Sequence, residues 1–303
     1  PQFFTACAAY LTSVFKRKPW VFELRDIWPE SIRAVGAMTN PKVLGLLEKI
    51  ELFLYRRASL IVSVTHSFKE NLVQRGIEEN KIEVITNGVD SSLFSPREKD
   101  QRLVEQYKLH GKQVVGYIGT HGLAHSLETL LQAAKLLEGM PGGDDYRFLL
   151  LGDGARKQSL QAKAEQEKIQ NVIFVSSVPK EDVVRYWSLL DVAVIHLKKN
   201  ELFKTVIPSK LFECMGMGVP VAHGVAGESA AIVEAERVGL CFEPENADAL
   251  CETIYALTKN EDVHRGFQLA GPQAVGRYNR GMLASRMRVA LERIKADEKP
   301  RGG

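Results

Sequence analysis

From Gln113 onward, short apolar runs alternate with longer stretches whose apolar residues recur every three or four positions, and few folds accommodate that alternation. The runs at 113–118, 146–151, 171–175, 191–197, 219–222 and 239–242 are too short for helices and apolar on both faces. They predict strands of a parallel sheet buried on both sides. The stretches 126–137, 155–168, 180–189, 209–217, 228–236 and 247–259 predict the covering helices, so the fold class is α/β and doubly wound. Upstream, strands are predicted at 20–24, 58–64 and 82–85, the last closed by an Asn87-Gly88 turn. Asn40-Pro41 opens one helix, and Ser67-x-x-Glu70 reads as the capping box of another that Gly76 ends. Residues 97–101 are charged with no apolar period, which places a domain boundary near Glu98. A last helix covers 282–294 and carries basic residues on its polar side.

The chemistry is expected where predicted strands run into predicted helices. Asp191-Val-Ala-Val-Ile-His-Leu197 leads through a polar loop to Pro208 and Ser209, which open a short helix marked at its end by Gly218. A helix N-terminus just past a buried strand is where open α/β sheets bind anions. Lys210 stands one residue inside, poorly placed for the helix dipole, and facing a phosphate would make sense of it. Glu213, on roughly the same face, has a carboxylate able to accept both hydroxyls of a ribose; an ordinary surface Lys–Glu pair is the other reading.

Gly116-Tyr-Ile-Gly119-Thr120-His121-Gly122 ends the first strand of this domain, and its glycines let backbone N–H groups approach a phosphate, with Ser126 as a cap for the next helix. A tight turn with no ligand explains the same residues. Leu151-Gly152-Asp153-Gly154 ends the next strand, where Asp153 could read the ribose of NAD. Arg25 and Asp26 end a strand of the first domain: a carboxylate there could orient a hydroxyl and Arg25 bind an anion, or the two could form a surface pair. Trp28, Glu30 and His66 are their expected neighbours, a core tryptophan being the alternative for Trp28.

The run Pro208-Ser-Lys-Leu-Phe-Glu213-x-Met-x-x-Gly218-x-Pro-Val221 resembles the donor-site motif of family 4 of the retaining glycosyltransferases, in particular the subgroup that builds bacterial O-antigen and capsular sugars, including fucosamine-type transferases. Asn87-Gly-Val-Asp90-x-x-x-Phe94-x-Pro96 resembles that family's entry into the interdomain linker, Gly152-Asp153-Gly154 its second turn, and Val175-Ser-Ser-Val178-Pro179 the loop against its nucleobase. The resemblance implies two Rossmann-like domains facing across a cleft (the GT-B arrangement), here residues 1–98 and 99–275, with a terminal helix in 276–303 packing back on the first. It implies a nucleotide-sugar donor, UDP- or GDP-linked, a glycan acceptor on a lipid diphosphate, and retention of anomeric configuration without cofactor or metal. Ser209, Lys210, Leu211, Gly119, Thr120 and His121 would hold the diphosphate. Glu213 would hold the ribose, Gly152, Asp153 and Val178 would line the base side, and Asp26 would orient the acceptor.

Two departures stand out. The family's first glutamate, separated from the second by seven residues, is Thr205 here, and the Arg and Lys it often places after the first strand are absent, leaving His121 or Lys210 to substitute. Three strands make half of a doubly wound sheet, so about a hundred residues of the first domain are expected ahead of Pro1. An NAD-dependent oxidoreductase and a non-catalytic sugar-nucleotide binder remain rival readings.

Composition narrows the rest. At 303 residues with 45% hydrophobic and 25% charged residues the chain is an ordinary globular one, and its net charge of +3 does not argue for nucleic acid. Four cysteines without metal-like spacing fit a reduced, cytoplasmic compartment. No apolar run reaches membrane-spanning length, yet basic residues interleave with apolar ones in 3–18 and 42–57, which suggests contact with the inner face of a membrane, a buried helix with a solvated edge explaining the second segment equally well.

Overall fold

The structure, a computed structural model, describes residues 2–34, 36 and 38–297. The chain divides into two compact units, one made of residues 1–88, 205–207 and those from 280 on, the other of 89–204 and 208–279.

The first unit runs α1 (Gln2–Lys16), β1 (Val21–Leu24), α2 (Glu30–Ala34), α3 (Pro41–Arg57), β2 (Leu60–Ser63), α4 (His66–Gln74) and β3 (Ile82–Val84). Its three strands are parallel in the order β1-β2-β3, and central β2 is buried along its whole length. Asn40 caps α3, its side chain accepting from the Lys42 and Val43 amides ahead of a proline already set for a helix. The cap of α4 is Thr65, whose Oγ1 accepts from the Phe68 amide at 3.0 Å, not the Ser67–Glu70 box. The helix starts at His66, so Ser67 already lies inside its first turn. Asn87-Gly88 forms no turn, and the Asn87 side chain accepts from Arg25 Nη2 at 2.7 Å.

In the second unit α5 (Gln101–Gln106) precedes β4 (Gln113–Ile118), α6 (Glu128–Glu138), β5 (Tyr146–Leu151), α7 (Lys157–Gln166), β6 (Val172–Val175), α8 (Val183–Trp187) and β7 (Val192–His196). Then come α9 (Lys210–Met217), β8 (Val221–Gly224), α10 (Glu228–Glu236), β9 (Gly239–Cys241), α11 (Ala247–Lys259) and α12 (Glu261–Ala274). The six parallel strands stand in the order β6-β5-β4-β7-β8-β9. Strands β4, β5 and β7 are the apolar centre: Val115, Phe148, Leu150, Val192 and Val194 are buried against Leu130, Leu131, Leu250 and Ile254 of α6 and α11. Burial on both faces explains why these runs do not alternate.

The order reverses between β4 and β7. The chain leaves β4 toward β5 and β6 on one side and returns beyond β7 to β8 and β9 on the other. Loops leaving the carboxyl ends of these two neighbours diverge and open a crevice. The last element, α13 (Arg280–Asp297), belongs to the first unit. Its Leu283 and Ala290 join Leu60, Val62 and Ile85 in one apolar cluster, and Arg286 donates to the Val84 carbonyl.

Candidate functional site

The β4–β7 crevice gathers most of the donor-side residues. The turn after β4 and the turn after β5 are locked together through their backbones: Gly119 N–H donates to Leu151 O, His121 N–H to Asp153 O and Arg156 N–H to His121 O, each at 2.9 Å. Gly119 and Gly152 sit at φ +148° and +147°, outside the range of L side chains, and a Cβ on Gly152 would lie 1.8 Å from the Gly119 carbonyl oxygen. The glycines are thus needed first for packing turn against turn.

On the other side of the crevice α9 begins. Its end is set by Gly218 at φ +67°, with the Gly218 and Val219 amides returning to Met215 and Cys214. Its start is a tight turn in which the Leu211 and Phe212 amides donate to the Pro208 and Ser209 carbonyls. Leu211 is fully buried with that amide engaged, so it offers nothing to a ligand, a correction to the sequence expectation. Ser209 is exposed and makes no capping bond.

Lys210 extends across to the β4 side. Its ammonium lies 3.8 Å from the centre of the Tyr117 ring, so close to Gly119 that a Cβ there would come within 2.7 Å of Nζ. Among the described residues the ammonium forms no hydrogen bond or ion pair. Burial pushes its pKa down to about 8, against a raising pull from its own helix that includes Glu213. Glu213 is half-buried on the same helix.

His121 does not share this role. Its side chain is fully buried, edge-on to Phe174 and 6.0 Å from the Tyr117 ring. Burial together with Lys157 lowers its pKa to about 4, so the ring is neutral at pH 7 and turned inward, and Lys210 is the cation of this crevice. Thr120 is exposed, and its carbonyl accepts from the Tyr117 hydroxyl at 2.9 Å. Asp153 has one oxygen on Lys157 Nζ and the other on the Ser177 amide, both at 2.7 Å, and these bonds hold its pKa well below the usual carboxylate range. It thereby ties the β5 turn to the loop after β6, where Val178 stands half-buried. Ser126 is no cap either: it adopts φ +43° and its hydroxyl donates to Glu245.

Sequence reasoning passed over Tyr117 and Lys157. Both had a signal, Tyr117 as a hydroxyl in an apolar strand that must find a partner, and Lys157 as the i+4 partner of Asp153.

In the first unit the expected acceptor residues cluster on the segment after β1. Arg25 pairs with Glu23 at 3.1 Å and with Asn87, not with Asp26. Asp26 is exposed yet partly desolvated, which raises its pKa against the lowering pull of Arg25. Trp28 stacks on Phe3 with ring centres 4.5 Å apart, near buried Glu51. Glu51 also accepts from the Tyr55 hydroxyl at 2.5 Å and from Arg75 at 3.3 Å. Burial pushes its carboxyl up to about 7. Glu30 lines a cavity of about 260 Å³ together with Pro29, Arg33, Leu44 and Glu48. His66 is exposed at the start of α4, beside Lys69, Glu70 and Glu79.

The sequence that builds this sheet and its turns matches known family models. Residues 112–260 fit the family model described as glycosyl transferases group 1, and residues 1–93 the one described as Glycosyltransferase Family 4. The chain belongs to the group 1/family 4 glycosyltransferase superfamily. Its curated relatives include TuaH of Bacillus subtilis, named as a glycosyltransferase of teichuronic acid biosynthesis. TuaH is 25% identical over 215 residues, which is 70% of this chain and 51% of TuaH. A GDP-mannose-dependent alpha-mannosyltransferase of Mycobacterium tuberculosis is 23% identical over 236 residues, 74% of this chain and 57% of that protein. The chain spans about half the length of the curated relatives it matches. Among solved structures, Anabaena HepE in complex with UDP and glucose superimposes with a TM-score of 0.79 at 17% identity, covering 96% of this chain and 76% of HepE. At that identity the likeness shows the fold, and the fold is GT-B. Among the described residues no helix is long and apolar enough to cross a membrane.

Proposed function

We propose that this superfamily member acts as a retaining glycosyltransferase, moving a sugar from a nucleotide sugar to a lipid-linked glycan in cell-surface polysaccharide synthesis. The observation that carries the reading is Lys210, an ammonium with no anionic partner among the described residues, held at the β4–β7 reversal against the backbone of Gly119. A nucleoside diphosphate supplies the charge that position lacks. Gly119, Thr120 and the front of α9 would meet the phosphates, Glu213 the ribose, and the loop carrying Val178 the base. HepE's complex with UDP and glucose supports a UDP-sugar donor.

In the proposed reaction the bond between the anomeric carbon and the phosphate oxygen breaks first, leaving an oxocarbenium-like sugar. Lys210 stabilises the negative charge gathering on the leaving phosphate. The acceptor hydroxyl, oriented by Asp26, attacks from the same face and gives its proton to the departing phosphate. The bonds from Asp153 to Lys157 and from the Ser177 amide give that carboxylate a turn-holding role that needs no NAD ribose.

Binding rather than turnover tests the assignment. Calorimetry with UDP, GDP and ADP should find one preferred nucleotide, and Lys210→Ala should weaken it by about 10- to 100-fold, the usual effect of losing a charge-assisted bond to phosphate. Unchanged affinity would remove the phosphate role. Contact with a membrane surface is supported by α1, where Phe4 is 70% and Phe15 91% exposed beside Lys16, Arg17 and Lys18. Co-sedimentation with anionic but not neutral vesicles is the expected result; recovery in the supernatant with both would exclude it.

A further inference from the structure

We infer that Tyr117 is the positioning residue of this crevice: its ring seats the Lys210 ammonium and its hydroxyl holds the turn at Thr120, so one buried side chain sets both the cation and the backbone that a nucleotide diphosphate would meet. The inference rests on the donor-site reading above and adds a residue that reading did not need.

A lysine is a charge on a flexible four-carbon stem, and at the start of α9 the helix dipole repels it. Something must hold the ammonium in the crevice before a ligand arrives. The described side chains offer it no carboxylate partner, and what lies 3.8 Å below it is the face of an aromatic ring, whose quadrupole attracts a cation most strongly where water is excluded. That ring cannot move aside. Tyr117 is fully buried on β4, which is paired with β5 through Tyr117–Leu150 and with β7 through Val115 and Gly116. The rings of His121 and His125 flank it at 6.0 and 5.8 Å.

The opposite end of the same side chain does separate work. Its hydroxyl donates to the Thr120 carbonyl at 2.9 Å, fixing the turn immediately after Gly119. A tyrosine serving only as core would cover its ring face with apolar atoms, whatever partner its buried hydroxyl finds. Here the face is covered by an ammonium and the hydroxyl is bonded into the turn.

The two roles separate by substitution. Tyr117→Phe keeps the ring face and loses the tether, and should weaken UDP binding about threefold. Tyr117→Leu loses both and should weaken it about tenfold or more, an effect that should shrink to roughly the threefold of the lost tether in a Lys210→Met background, because the ring acts through the lysine and the hydroxyl does not. Should Tyr117→Leu fold poorly, phenylalanine and its mono-, di- and trifluorinated analogues placed at position 117 keep the packing while draining the ring quadrupole. UDP affinity should then fall stepwise with fluorination. Affinity that stays flat across this series, in a protein whose UDP binding Lys210→Ala weakens, overturns the positioning role and leaves the donor site standing. Failure of the unmodified chain to bind UDP, GDP or ADP removes the donor-site reading and this inference with it.

Discussion

An ammonium held near neutrality by burial should reveal itself in the pH dependence of ligand binding. Lys210 carries a pKa of about 8 in the free crevice, and a bound diphosphate would raise it. Nucleotide affinity should therefore be level from pH 7 to about 8 and fall above that, by at most about tenfold per pH unit, until the bound-state pKa is passed. In Lys210→Ala the profile should be flat over the same range, and calorimetry between pH 7 and 9.5 reads both. The sign for folding is opposite: a lysine whose folded pKa is depressed weakens the fold while charged and stops doing so as pH rises from about 8 toward its ordinary value. How much of this was legible residue by residue is uneven. The Lys210 charge at a helix start stands out in the chain itself, because it violates the dipole preference. That it would rest on Tyr117 did not, since the pairing exists only once β4 and β7 lie side by side. Leu211 and His121 were assigned to the ligand by motif position, and burial set both aside.

Among the elements, β4 and β5 run as the apolar pattern predicts from end to end, because central strands are bounded by the sheet itself. Elements next to special backbone shift. The strand expected from Val219 begins at Val221, as the Val219 amide still closes α9 onto Cys214. The helix expected from Ala155 begins at Lys157, as residues 154–156 are held against the backbone of His121. Such tertiary contacts leave no period to read. The same interlock yields a sharp test. Gly152→Ala places a methyl group into the Gly119 carbonyl at a backbone angle that alanine avoids, so the second unit should lose about 3 kcal/mol or more, read as the shift in urea midpoint. A loss under about 1 kcal/mol would mean the two turns can part freely.

At the scale of the molecule, the two units should answer pH in opposite directions. In the second, burial lowers the pKa values of His121 and His125 to about 4 and of His223 to about 3. Groups kept neutral in the fold but protonated when unfolded withdraw stability as pH falls from about 6.5 toward 4. In the first, Glu51 is raised to about 7 by burial, so its contribution, on the order of 3 kcal/mol, is present below about pH 4.5 and is lost as pH rises to 7. Trp187→Phe leaves Trp20 and Trp28, both in the first unit, as fluorescence reporters of that unit alone. Its urea midpoint should drop between pH 5 and 7.5, and Glu51→Gln should level that slope; equal slopes in the two proteins would refute the assignment.

The placement of α13 bears on how the chain is made. Its Leu283 and Ala290 complete an apolar cluster whose other members, Leu60, Val62 and Ile85, leave the ribosome far earlier. During synthesis those three strand-side residues wait without their cover while the whole of residues 89–279 emerges and can fold. That cluster is therefore sealed only after the whole second unit has been translated, and a chain ending just before Arg280 would leave Leu60, Val62 and Ile85 without this cover.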